Sequence, residues 1–383
     1  MAKDRIHLIH SFEHDPYDVA TAFKRVTEEM FGADQFIGIK QRFWLPSVPV
    51  SFTSVNVGVS QEVKVIMGSF RVKAIDGDFN LEESTLQAIV NKSEVKKVED
   101  FLAKVKKSLE ISSIYRGKAL TSAREFMDLS AINPDLLVYN SRILRELKEN
   151  LWVLIEKKEE CKAAGAQIQR KVLFEGKYGT GKTMALLATA KKAVENGFTF
   201  IYLEPTLADV SGIINRMLKL CQKYQPSILA IEDFDREQRV GDVFAVGRLM
   251  TAIDGVLSKD AETIIILTTN FKDKIAGGFK RPGRIDKTIN FNIFESEDAA
   301  RLLQIVIPVH FQSLSIDWSV VGKAASHMTP AFIKEVGTGS KLAAISRAGK
   351  GKNPMVTQEI LLNVIEGLQD QHKACEEQFG FSK

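Results

Sequence analysis

Gly176-Lys177-Tyr178-Gly179-Thr180-Gly181-Lys182-Thr183 is the stretch on which the reading of the fold turns. It has the spacing glycine, four residues, Gly-Lys-Thr, after an apolar run at 171–174 and before a helical segment at 184–195. A strand that enters a glycine-rich turn and opens a helix is the context in which this pattern carries a mechanism. The glycines let the backbone curl until successive N–H groups face phosphate oxygens, and the helix adds its positive end. Lys182 then reaches the β- and γ-phosphates of a nucleotide, and the Thr183 hydroxyl serves Mg²⁺. The binding loop is read as Gly176, Lys177, Tyr178, Gly179, Thr180, Gly181, Lys182, Thr183 and Met184. A chance glycine-rich turn is the alternative, and the two flanks weigh against it. A second fragment, Gly337-Thr338-Gly339-Ser340-Lys341, has no strand before it and reads as a loop between helices.

Outward from the loop, short apolar runs at 171–174, 198–203, 228–231 and 263–267 alternate with helical segments. Runs that short and that continuous fit parallel strands covered on both faces. The expected class is α/β, a parallel-sheet αβα core of the P-loop NTPase kind over 133–293. Ile143, Leu144, Leu147, Leu151 and Ile155 mark one helix of that core. Beyond Phe294 the strands stop, and 299–306, 330–345 and 357–372 read as helices of a small C-terminal lid spanning 294–383. Upstream, residues 1–112 mix periods. Val19, Ala22, Phe23, Val26 and Met30, then Val95, Val98, Phe101, Leu102, Val105 and Leu109, recur at helical spacing; 52–59 and 63–75 alternate as half-buried strands do. A small α+β domain is expected there, with Asp76-Gly77-Asp78 as a turn and 113–132 as a connector.

Ser227-Ile228-Leu229-Ala230-Ile231-Glu232-Asp233-Phe234-Asp235 is an apolar strand that ends in carboxylates. A buried strand exposes such a cluster only at its tip, where Mg²⁺ and an attacking water belong in a nucleotide hydrolase. By itself an acidic turn after a core strand is an equal reading; the phosphate loop upstream tips the balance.

With these segments, Leu249 to Val256, Thr268-Thr269-Asn270 after a strand, and Arg281-Pro282-Gly283-Arg284-Ile285-Asp286 stand in the order found in AAA ATPases. Over about residues 133–372 the chain resembles that family. The resemblance implies a chain that binds ATP or ADP with Mg²⁺ and hydrolyses ATP, with Thr183 and Glu232 at the metal. It implies Lys182, Glu232, Asp233 and Asn270 as catalytic residues, Asn270 as the sensor of water or γ-phosphate. Arg281 and Arg284 become the arginine fingers that act on a neighbouring subunit's nucleotide, hence a homo-oligomer, in this family a hexameric ring. A guanidinium suits that task because its planar fork spreads positive charge over phosphate oxygens. The stretch Leu137-Val138-Tyr139 falls where family members contact adenine, with Leu137 and Val138 as the candidate contacts, and a plain helix entry fits the stretch as well.

Three departures stand out. Glu232 precedes Asp233, whereas the family's usual order is Asp then Glu. The reversal withdraws the carboxylate at the water by about one methylene, on the order of 1 Å, which can lower the rate about a hundredfold unless the backbone compensates. The same order resembles that of the mitochondrial AAA translocase of folded Rieske protein. The loop Glu204-Pro205-Thr206-Leu207-Ala208-Asp209 lacks the aromatic residue with which unfoldases of the family grip extended polypeptide. No second-sensor arginine is recognisable in the lid, where Lys341 and Arg347 are the nearest cations. His310 follows a lid helix near where some family members place a nucleotide-contacting histidine, but the spacing is loose and it reads as an ordinary core or surface histidine.

The 383 residues suggest two or three domains, and 45% hydrophobic with 26% charged content suits a protein with a sizeable core. A net charge of +4 at this length points to neither nucleic acid nor membrane. Cys161, Cys221 and Cys375 are odd in number and without ligand spacing, so a reducing, cytoplasmic compartment is expected rather than a disulfide framework. His7, His10, Glu13, His14 and Asp15 near the start are unlike a signal peptide. The leading expectation is a ring ATPase that remodels a protein or protein complex, with residues 1–112 receiving the substrate or adaptor. A nucleic-acid motor would want basic pore loops, and Arg236, Arg239 and Arg248 are diluted by Glu237 and Asp242. A slow, nucleotide-controlled scaffold is the third possibility.

Overall fold

The computed structural model describes residues 5–14, 16–31, 60–65, 68–74, 84–92, 95–204, 210–234, 253, 261–270, 284–349 and 353–378. The chain divides into two compact units, one of residues 1–120 with 124–126 and the other of 121–123 with 127–383.

The first unit comprises β1 (Arg5–Phe12), α1 (Pro16–Phe31), β2 (Ser60–Val65), β3 (Gly68–Ala74), β4 (Ser84–Asn91) and α2 (Val95–Ser112). Its sheet is antiparallel in the order β1-β4-β3-β2. The two helices meet along the stripes that their spacing predicts. Val19, Ala22, Phe23 and Val26 of α1 and Val98, Phe101, Leu102, Val105 and Leu109 of α2 form one buried cluster. Phe23 and Phe101 pack edge to face at 5.1 Å, the arrangement their quadrupoles favour. Buried Asp18 accepts from the Ser113 hydroxyl at 2.6 Å and from the Ile114 N–H at 3.0 Å, which pins the end of α2. Within the expected alternation over 63–75, the described residues belong to two strands, β2 and β3, paired antiparallel with Val65 opposite Gly68; residues 66, 67 and 75, the expected strand at 52–59 and the turn at Asp76–Asp78 lie outside the described residues. A three-residue strand, β5 (Ala119–Thr121), follows.

In the second unit β6 (Arg170–Gly176), β7 (Thr199–Leu203), β8 (Ser227–Ile231), β9 (Thr263–Thr269) and β10 (Lys287–Phe291) lie in one parallel sheet, in the order β10-β6-β9-β8-β7. All five residues of β8 and all seven of β9 are buried. That is the burial a parallel strand covered on both faces requires, and it explains why these runs read as continuous rather than alternating. The helices α6 (Lys182–Glu195) and α7 (Val210–Lys223) follow β6 and β7. The buried face of α6 is mostly alanine, namely Ala185, Ala188, Ala190 and Ala193 around Leu186.

Before β6 the expected single helix is interrupted. It runs as α3 (Ser141–Leu147), a π-helical turn (Lys148–Trp152) and α4 (Val153–Glu156), followed by α5 (Lys158–Ala163). The reason is in the spacing. Ile143, Leu147, Leu151 and Ile155 repeat every fourth residue, whereas three α-turns advance only about eleven. A π turn inserts the extra residue and keeps all four buried. It also buries Trp152, whose indole N–H donates to the Thr189 hydroxyl at 2.9 Å.

After β10 come α8 (Ser296–Val306), α9 (Trp318–Ala324), α10 (Pro330–Arg347) and α11 (Gln358–Gln378). One expectation fails here. Gly337-Thr338-Gly339-Ser340-Lys341 is no loop; it lies inside α10. Its glycines serve helix packing, since a Cβ on Gly337 would stand 2.5 Å from Cγ1 of Val306 on α8. Among the described residues, no helix is long and apolar enough to cross a membrane.

Candidate nucleotide site

The site forms where β6, β8 and β9 end. β6 delivers Gly176, and the loop turns through Gly179 (φ +73°) and Gly181 (φ +97°), conformations that L side chains rarely adopt. Gly181 stands at the N-cap of α6 and brings no side chain of its own over the first N–H groups of the helix. The loop is held from both sides. Tyr139 donates its hydroxyl to the Gly181 carbonyl at 2.6 Å, and its ring would stand 3.1 Å from a Cβ there, a tight contact. Burial pushes the Tyr139 hydroxyl up, so it stays a neutral donor. On the other side the N–H of Ala331, in the first turn of α10, donates to the Gly179 carbonyl at 3.1 Å. Within the loop the Thr180 hydroxyl donates to the Lys177 carbonyl at 2.8 Å.

Buried Lys182 opens α6 and turns its ammonium back into the loop. It donates to the carbonyls of Gly176 at 2.7 Å and Lys177 at 3.0 Å and to Oδ1 of Asn270 at 2.7 Å. Next to it, the Thr183 hydroxyl donates to Oε1 of Glu232, one residue beyond β8. The other carboxylate oxygen, Oε2, accepts from the hydroxyl of Tyr202 on β7. Burial lifts the Glu232 pKa, and the charge of Asp233 adds to this; the Thr183 hydroxyl and Lys182 oppose it.

Asp233 is a separate case. Its φ of +45° lies in the left-handed region, uncommon for a residue other than glycine though tolerated best by Asp and Asn. Two groups of β9 and its end hold it there. Its N–H donates to the Thr268 hydroxyl at 2.8 Å, and Asn270 Nδ2 donates to its Oδ1 at 2.7 Å. The tip of the sheet thus gathers Lys182, Thr183, Glu232, Asp233 and Asn270 from three strands. Leu137 and Val138 are buried next to Tyr139, and Met184 is half-buried in the first turn of α6. Tyr202 and Ala331 lie outside every motif segment, whereas Tyr139 and Thr268 stand in such segments but hold Gly181 and Asp233 by contacts that the motifs do not specify.

Other sequence-predicted residues lie elsewhere. Arg284 precedes β10, whose first residue, Lys287, is opposite Val172 near the start of β6. The phosphate loop leaves the other end, where Gly176 is opposite Phe291. Four residues of strand, about 13 Å, separate those levels, so the fold does not bring Arg284 to its own chain's loop. Asp286 anchors this turn, accepting from the Lys171 N–H at 2.7 Å. Arg281, the segment 205–209 and Arg236, Arg239 and Arg248 lie outside the described residues, as does 249–256 apart from buried Ile253. Lys341 donates to the Val306 carbonyl at 3.2 Å and Arg347 pairs with Glu359 at 3.6 Å, so both lid cations are engaged within the lid. His310 is exposed, edge-on to Phe311.

The family described as "ATPase family associated with various cellular activities (AAA)" matches residues 172–293, from β6 through the acidic pair and Asn270 to the end of β10. Residues 172–293 form an AAA-family P-loop ATPase domain. Curated relatives agree. A proteasome-activating nucleotidase of Methanosarcina mazei is 24% identical over 261 residues, 64% of this chain and 60% of that protein. An ATP-dependent zinc metalloprotease FtsH 2 of Methylacidiphilum infernorum is 26% identical over 227 residues, 55% of this chain and 35% of that one. An ATPase family AAA domain-containing protein of Arabidopsis thaliana is 30% identical over 190 residues, 45% of this chain and 16% of that one. The chain therefore spans 60% or less of the length of these relatives.

The donor set of the AAA domain fits a nucleotide and a hard divalent cation. Backbone N–H groups without a capping side chain and a buried ammonium suit phosphate oxygens. A hydroxyl and a carboxylate oxygen already in contact, Thr183 with Glu232, suit Mg²⁺, which is bound through one or two protein oxygens together with phosphates.

Proposed function

We propose that this chain binds ATP with Mg²⁺ at the tip of its parallel sheet, hydrolyses it to ADP and phosphate, and uses the reaction in a homo-oligomeric ring that remodels a protein or protein complex. The observation that carries the proposal is the convergence of Lys182, Thr183, Glu232, Asp233 and Asn270 from separate strands on one uncapped helix end.

In this reading Lys182 and the loop N–H groups hold the triphosphate, and Thr183 with Glu232 holds Mg²⁺. The ion, when bound, neutralises charge on the phosphate oxygens. Asp233 receives a hydrogen bond from the attacking water and takes up its proton as the water oxygen bonds to the γ-phosphorus and the bond to ADP breaks. Asn270 keeps that carboxylate aimed and, through Lys182, senses the phosphate. Position supports this division of labour: Glu232 is the carboxylate against Thr183, and Asp233 is the one against Asn270. The left-handed backbone at Asp233 supplies a means for the shorter side chain to be re-aimed.

Arg284 has no route to its own loop, so a role on a triphosphate requires a second copy. That supports a ring whose arginine fingers, Arg281 and Arg284, complete the neighbouring site, in the hexameric arrangement the family resemblance implies. The relatives' names, a proteasome-activating nucleotidase and an ATP-dependent protease, support protein as the substrate class. Residues 1–112 are assigned target selection, 113–132 the connection, 133–293 hydrolysis and 294–383 the lid, in a cytoplasmic protein. Phosphate release by the purified chain, against Lys182→Ala and Asp233→Asn, tests the core of this. Wild type should turn over, Lys182→Ala should lose nucleotide binding, and Asp233→Asn should bind nucleotide with turnover reduced about a hundredfold or more. Equal, negligible release by wild type and Asp233→Asn would make the chain a nucleotide-controlled scaffold instead.

A further inference from the structure

We infer that Tyr202 is a positioning residue for the metal carboxylate, one that this chain uses because a glutamate stands where a shorter aspartate is the commoner choice. The inference rests on the nucleotide site proposed above and concerns how its cation is held.

The strand register places the two residues together. Tyr202 of β7 is opposite Ala230 of β8, and the Glu232 N–H extends the ladder to the Leu203 carbonyl. Residues two apart on a strand share a face, so Tyr202 shares its face with Ala230 and with Glu232 just beyond. The Tyr202 hydroxyl, two residues short of Glu232 in register, reaches Oε2 of that carboxylate. Oε1 is taken by the Thr183 hydroxyl. One carboxylate is therefore fixed at both oxygens by two neutral donors.

The chemistry explains why the chain needs this. A glutamate has one more rotatable bond than an aspartate and loses more conformational freedom when fixed. A longer carboxylate at a metal must therefore be restrained by something other than its own length. A lysine or arginine at position 202 would restrain it and repel the cation; a phenol restrains it with a neutral O–H. Orienting groups behind a metal ligand typically alter metal affinity about tenfold or more when removed.

The test is binding of a fluorescent, non-hydrolysable ATP analogue to the full chain, first in EDTA and then across a Mg²⁺ titration. Tyr202→Phe is expected to match wild type in EDTA and to raise the half-saturating Mg²⁺ concentration by about tenfold. Glu232→Gln should raise it too, and Tyr202→Phe added to Glu232→Gln should change little more, because the hydroxyl acts through the carboxylate. A Tyr202→Phe titration that overlays wild type overturns the inference, as does an additive double variant. Weaker binding of Tyr202→Phe in EDTA overturns it as well, since that places the role in the fold rather than at the cation. Failure of the underlying site looks different: wild type and Lys182→Ala would then bind the analogue equally poorly.

Discussion

At the level of single residues, the acidic pair is a study in how environment divides two carboxylates. Glu232 is half-buried beside Asp233, and burial raises its pKa. A raised value means the folded chain holds the Glu232 proton more tightly than the unfolded chain does. Stability therefore falls as pH climbs from the ordinary glutamate range through the raised value, and the loss persists above it. Glu232→Gln has no charge to desolvate, so in EDTA at pH 8 it should melt higher than wild type, with the gap narrowing toward pH 5. A melting temperature at or below wild type at pH 8 would count against a strained carboxylate. The two acids, the lysine and the glycine spacing were all readable in sequence because they sit in one or two contiguous segments. The hydroxyls that hold them were not. Tyr202 is 30 residues from Glu232, Thr268 is 35 from Asp233 and Tyr139 is 42 from Gly181. Strand register and loop packing bring these together: Thr268 and Tyr139 stand in segments that the family pattern marks, yet the fold decides what their hydroxyls hold, and Tyr202 on its apolar strand carries no mark at all.

Among the secondary-structure elements, buried runs and amphipathic stripes translated directly into strands and helices, because burial on two faces or one is what those patterns encode. Two elements departed, each for a packing reason. A repeat of four between Ile143 and Ile155 is slightly too long for an α-helix, and a π turn absorbs the excess. The glycines of 337–341 resemble loop punctuation, yet they let α10 approach α8 and α11, with Gly339 facing Cγ1 of Val364. This yields a paired prediction. Gly337→Ala drives a methyl into Val306 and should destabilise the protein, since overpacking costs about 1–3 kcal/mol against a helix-propensity gain of roughly 1 kcal/mol. Gly367→Ala, in α11 with nothing within 4 Å of the added methyl, should stabilise by up to about 1 kcal/mol. Urea unfolding of the two variants checks both signs, and equal shifts would refute the packing argument.

Considered as a whole molecule, the parallel sheet decides what one chain can and cannot do for itself. Its strand tips gather the groups that fit a triphosphate and its cation, while the turn bearing Arg284 leads into the opposite end of β10. The family pattern marks the residues proposed for a nucleotide site, whereas the separation of Arg284 from the loop follows only from the direction of β10 against β6. The guanidinium proposed for the triphosphate must then come from a neighbouring copy, and mixing two inactive variants puts this to the test. Lys182→Ala keeps the arginine and loses the loop; Arg284→Ala keeps the loop and should lose about a thousandfold or more in turnover. Co-assembled mixtures of the two should recover ATP hydrolysis that neither shows alone. Mixtures that co-assemble and stay as inactive as their parents would contradict it.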